Sequence, residues 1–119
     1  MSPLVAAPPT HRVILGLMTF GENESAGARV TDIGQFGKVL DLFQQRGYSE
    51  VDTARVYVDN TQEAFTREVG WKERGLTLAT KVKYPNQPGE NTGDKVIASV
   101  ETSLRELGAD SVDVSAQWF

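Results

Sequence analysis

The sequence predicts an α/β fold built on a parallel sheet, in the order β-α-β-α-β-α-β. Two observations carry this. Four short apolar runs alternate with three stretches whose apolar residues recur every three to four positions. One helix-length stretch then lies between each pair of strands, and that spacing suits right-handed crossovers between parallel neighbours.

Taken in order, Arg12 to Thr19 is a nearly continuous apolar run, as expected for a strand buried on both faces. Gly21 to Arg29 is polar and glycine-rich and reads as a loop. Thr31 or Asp32 can cap a helix. Ile33, Phe36, Val39, Leu40 and Phe43 then form one apolar stripe, and Gly47 ends it. Tyr48 to Asp52 is a short strand. Asp59, Asn60 or Thr61 can cap a second helix running to about Val69, with Ala64, Phe65 and Val69 inward. Gly75 to Val82 alternates apolar and polar residues, the pattern of a strand. Tyr84 to Gly93 is rich in proline, asparagine and glycine and reads as a loop. A third helix begins at Thr92, Gly93 or Asp94. Val96, Ile97, Val100, Leu104 and Leu107 follow at spacings near 3.6, and Gly108 stops it. Ser111 to Val114 opens a fourth strand.

Composition narrows the function. At 119 residues the chain is one domain, 39% hydrophobic and 24% charged. Its net charge of −4 disfavours nucleic acid and anionic membrane as partners. The basic clusters Lys72–Arg74 and Lys81–Lys83 read as surface or site residues. There is no cysteine and a single histidine, His11, so thiolate and histidine-rich metal sites are excluded and no metal is expected. Residues 1–11 read as a flexible arm rather than a signal peptide, and the expected location is cytoplasmic.

The chemistry concentrates in Asp52-Thr-Ala-Arg-Val-Tyr57 and Thr80-Lys81-Val82. A carboxylate, a phenol and an ammonium fall near the ends of two predicted strands. Taken singly, Asp52 reads as a cap or surface pair, Tyr57 as a wall residue and Lys81 as a solvated cation. A sheet of this order can finish as an open doubly wound sheet or as part of a closed barrel. No G-x-G-x-x-G follows the first strand, where Phe20-Gly21-Glu22-Asn23-Glu24 stands instead.

With Leu15–Gly21, Gly47–Tyr57, Ala79–Val82, Val100–Leu107 and Val112-Asp113 in this order, the chain resembles the aldo-keto reductases, and within them the aflatoxin-aldehyde-reductase-like branch. The resemblance covers about Arg12 to Asp113. It implies the N-terminal half of a (β/α)8 TIM barrel, with the site at the C-terminal ends of the strands. Residues 12–119 would then be a partial reductase domain. The implied reaction is NADPH-dependent reduction of an aldehyde or ketone to an alcohol. Tyr57 would be the proton donor, Lys81 would lower its pKa, and Asp52 would hold Lys81. Met18, Thr19, Asp52 and Tyr57 would meet the nicotinamide end of NADPH.

The resemblance also implies a histidine at the end of the fourth strand, and Trp118 stands there instead. Indole donates a hydrogen bond but cannot relay a proton. Most of the family's cofactor contacts belong to the second barrel half, so as a truncated chain the protein is expected to be impaired or inactive. The alternative is a non-catalytic half-barrel that binds a full-length reductase or pairs with itself as a homo-oligomer. The loops Gly21–Ser25 and Pro85–Asn91 are candidates to line the mouth.

Overall fold

Four strands pair side by side, all parallel, in the order in which the chain makes them in the computed structural model. The structure describes residues 11–82 and 92–117. Most of the expected N-terminal arm, most of the Tyr84–Gly93 loop and Trp118 lie outside the described residues.

The strands are β1 (Ile14–Gly16), β2 (Glu50–Asp52), β3 (Thr77–Val82) and β4 (Val114–Gln117). Their register sets Gly16 beside Asp52, Asp52 beside Ala79, and Ala79 beside Val114. Between them run α1 (Ile33–Gln45), then the single turn α2 (Tyr57–Asn60) with α3 (Gln62–Glu68), and α4 (Gly93–Leu107). Parallel strands all end on the same side, so the residues just beyond β1, β2 and β3 gather at one edge of the sheet.

Local chemistry explains the helices. Asp32 is extended, and its carboxylate accepts the Gln35 N–H at 2.9 Å, which satisfies one of the four orphan donors of α1. Phe36 and Leu40 of the predicted stripe are buried, and Ile33, Val39 and Phe43 pack against them. Gly47 takes a φ of 89°, turning the chain from α1 towards β2. Arg74, in a cluster expected at the surface, is half-buried instead. It donates to the Val69 carbonyl at 3.1 Å and pairs with Asp41 of α1 at 2.8 Å.

The core lies between the helices and one face of the sheet. Leu17, Phe36, Leu40, Val51, Leu78 and Leu107 are buried there. Phe36 joins Phe20 and Phe65, with ring centroids 4.7 and 5.4 Å away. Burying each such side chain contributes about 1.5–3 kcal/mol.

Two expectations need correction. The first strand is short and not buried on both faces. Ile14 is 48% exposed, and the run turns away after Leu17, because the sheet face opposite the helices is uncovered here. The fourth strand begins at Val114 rather than Ser111. Before it, the Asp113 backbone N–H donates to the Leu78 carbonyl at 3.1 Å while its side chain accepts the Leu78 N–H at 2.8 Å, so a carboxylate stands in for a strand carbonyl and the regular ladder starts at Val114. At the opposite end of the sheet the Arg12 guanidinium grips Glu50 and holds that carboxyl below its usual range. Among the described residues no helix is long and apolar enough to cross a membrane, and no cluster of His, Asp or Glu could hold a metal ion.

Candidate active site

Asp52 is the last residue of β2, and its register partner on β3 is Ala79. Side chains alternate along a strand, so Lys81, two residues beyond Ala79, returns to the face that Asp52 occupies. The Lys81 Nζ donates to Asp52 Oδ2 at 2.8 Å and to the Thr53 carbonyl at 2.8 Å. It also reaches the Tyr57 hydroxyl at 3.3 Å and lies 5.1 Å from that ring's centroid. The structure thus brings Asp52, Tyr57 and Lys81 together. The ammonium and the carboxylate are partly buried, which strengthens their attraction over that of a solvated pair.

Tyr57 is delivered by an unusual turn. Val58, Asp59 and Asn60 have φ of 49°, 51° and 67°, so three successive residues are left-handed. For a β-branched residue such as Val58 this conformation costs energy and must be imposed by its surroundings. The surroundings are specific. Val58 packs with Ala28, Ala54 and Tyr57 in a small apolar cluster. A Cβ at Gly21 would come within 2.8 Å of its methyls. Thr61, a predicted cap, instead donates its hydroxyl to the Val58 carbonyl at 2.6 Å and makes no side-chain cap to α3.

Met18 and Thr19 follow β1 at the same end of the sheet, one strand away from Asp52. Met18 is 55% exposed, while Thr19 is half-buried and its carbonyl accepts the Arg29 and Val30 N–H groups. Glu22, of the loop expected at the mouth, lines a separate groove of about 450 Å³ with Asn23, Thr61, Ala64, Phe65 and Glu68. The Pro85–Asn91 loop and Trp118 lie outside the described residues.

The sequence reading missed a second polar layer beneath the trio. Arg55 and Glu63 form a buried ion pair of 2.8 Å. Arg55 also donates to the Asn60 carbonyl. The other oxygen of Glu63 accepts the Thr80 hydroxyl at 2.7 Å. Next to it, Gln62 accepts the hydroxyls of Thr53 and Thr66 and donates to the Phe20 carbonyl at 3.1 Å. One signal was present. Thr80 shares a strand face with Leu78 and Val82, so period two places a hydroxyl in an apolar row, where it needs a buried acceptor.

The sequence profile described as the Aldo/keto reductase family matches residues 12–116. The chain is 32% identical over 78 residues to an aldo-keto reductase of Pseudocercospora fijiensis, covering 63% of this chain and 26% of that protein. It is 29% identical over 115 residues to human aflatoxin B1 aldehyde reductase member 2, covering 92% of this chain and 30% of that protein. The chain therefore spans about a third or less of the length of these relatives. In structure it is similar to an aldo-keto reductase of Klebsiella pneumoniae in complex with NADPH, at a TM-score of 0.67 and 26% identity. That match covers 89% of this chain and 34% of the Klebsiella chain.

Proposed function

The chain belongs to the aldo/keto reductase family, and on that premise we propose that its site reduces an aldehyde or ketone to an alcohol with NADPH. The observation that carries the reading is one ammonium, Lys81 Nζ, lying 2.8 Å from a carboxylate and 3.3 Å from a phenol. Bound NADPH would supply the hydride to the carbonyl carbon. Charge then develops on the carbonyl oxygen, and Tyr57 gives that oxygen its proton. Lys81 stabilises the negative charge left on the phenol oxygen. Asp52 fixes the ammonium and balances its charge. Met18 and Thr19, with Asp52 and Tyr57, would hold the nicotinamide end. Met18 offers it an exposed, adaptable thioether. The family resemblance puts Trp118 at the sequence position of a histidine, and indole cannot relay a proton, so slow turnover is expected.

The test is carbonyl-dependent oxidation of NADPH. Tyr57→Phe removes the donated proton and leaves the ring packing, so the rate should fall by roughly 10²- to 10⁴-fold with circular dichroism unchanged. A Tyr57→Phe protein as fast as its parent would refute the assignment.

The exposure of Ile14 and Val114, on the edge strands β1 and β4 of this sheet, favours a second reading. Exposed strand edges and apolar side chains invite pairing with another chain. The 119-residue chain would then act by binding, to a second copy of itself or to a full-length reductase. Light scattering at micromolar concentration should show a dimer or larger species. A monodisperse monomer that captures no full-length reductase would dispose of this reading.

A further inference from the structure

We infer that Arg55, Glu63 and Thr80 are positioning residues that set how far the Tyr57 phenol stands from the Lys81 ammonium. This rests on the reading of Tyr57 and Lys81 given above. The phenol and the ammonium come from different elements, a left-handed turn after β2 and the C-terminal end of β3. A backbone bond from Arg55 to β3 ties only the start of that turn to that strand. The buried link ties the rest. Arg55 stands two residues before Tyr57, and its guanidinium reaches the carbonyl of Asn60 at the far end of the turn, so one side chain braces the turn from both ends. Its backbone N–H is bonded to the Lys81 carbonyl at 3.0 Å. The same guanidinium is held by Glu63 at 2.8 Å, and the other carboxylate oxygen of Glu63 accepts from Thr80, the neighbour of Lys81, at 2.7 Å.

The burial of this link separates it from an ordinary surface pair. The side chain of Glu63 is fully buried, and that of Arg55 nearly so. Two desolvated charges are a costly way to gain stability, and apolar side chains of similar volume often do as well or better. What a charged, directional link adds is geometry: the fork of Arg55 and the two oxygens of Glu63 allow few arrangements. Here those arrangements specify the turn and the strand that carry the phenol and the ammonium.

Thr80→Val tests the link, because it removes one hydroxyl at nearly constant volume and leaves the Arg55–Glu63 pair in place. Two readouts are made on the full chain. The first is the ¹⁵N-ammonium signal of Lys81, assigned by its loss in Lys81→Met. In the parent its hydrogens are shielded by their bonds, and in Thr80→Val the signal should disappear through fast exchange with water. The second is turnover: kcat should fall roughly ten- to a hundredfold with KM unmoved, as a small misplacement of catalytic groups does. In a Tyr57→Phe background Thr80→Val should cost no further activity. Thr80→Ser, which keeps the hydroxyl, should restore both readouts.

An unchanged ammonium signal in a folded Thr80→Val protein, with only a lower urea midpoint, overturns the inference and leaves the network a purely stabilising role. So does a parent protein whose Lys81 signal is already lost to exchange. If Thr80→Val does not fold, Thr80→Ser against Thr80→Ala carries the same comparison. If the parent reduces no carbonyl, the reading of the previous subsection falls, and the ammonium signal alone decides this one.

Discussion

Glu63 has one oxygen on a guanidinium and the other on a hydroxyl, with no access to water. Removing it strands the Arg55 charge in the interior. Glu63→Ala should therefore cost about 3–5 kcal/mol, the usual loss when one partner of a buried ion pair is deleted, read from urea unfolding. Glu50→Ala, which removes an acid paired with the exposed Arg12, should cause no comparable loss. At this scale the sequence was legible where the candidate site's residues lie close along the chain. Asp52 and Tyr57 lie within one short segment, and Lys81 follows at a strand end. Of the supporting residues only Thr80 left a signal, a hydroxyl in an apolar row, and its partner was not legible. Thr80 and Glu63 are 17 positions apart on unlike elements, and no periodicity links them. The left-handed turn was hidden as well, because Val58 stands where a glycine would have announced it.

At the scale of elements, the cap and stripe of α1 were read faithfully, whereas the Thr61 side chain caps no helix and Ile97 of the α4 stripe is exposed. Asp32 and Gly47 bracket α1 because each solves a fixed problem of backbone geometry. Gly108 does the same for α4. It adopts a φ of 69°, and a Cβ there would lie 2.6 Å from the Arg67 Nε. Gly108→Ala should lower stability by about 1–2 kcal/mol, the left-handed penalty for a residue with a Cβ. Displacement of Arg67 adds to that. Gly93→Ala, at the other end of α4 with open space around it, should be neutral or slightly stabilising. Thermal melts of the two variants make the comparison. Strand limits were harder to read. An apolar run says where burial is possible, but pairing decides where a strand begins. β4 starts at Val114 because Asp113 spends its side chain on Leu78.

For the molecule as a whole, the order of elements and the parallel sheet followed from spacing alone. The closure of that sheet did not. Strands in chain order with helices on one face alone suit part of a barrel, since a doubly wound sheet carries helices on both faces, and the match to reductases of the family agrees. The parallel register has one more consequence, for the order in which the chain folds. Glu50 and Thr77, which pair across β2 and β3, are 27 residues apart. Every parallel connection of this kind closes a long loop before any contact rewards it, which makes such pairing slow. α1 holds its cap and stripe within its own segment. The trio has no such autonomy, since Lys81 meets Asp52 and Tyr57 only in chains where that loop has closed. A chain with α1 formed and that loop still open would therefore contain every residue of the candidate site and none of its geometry.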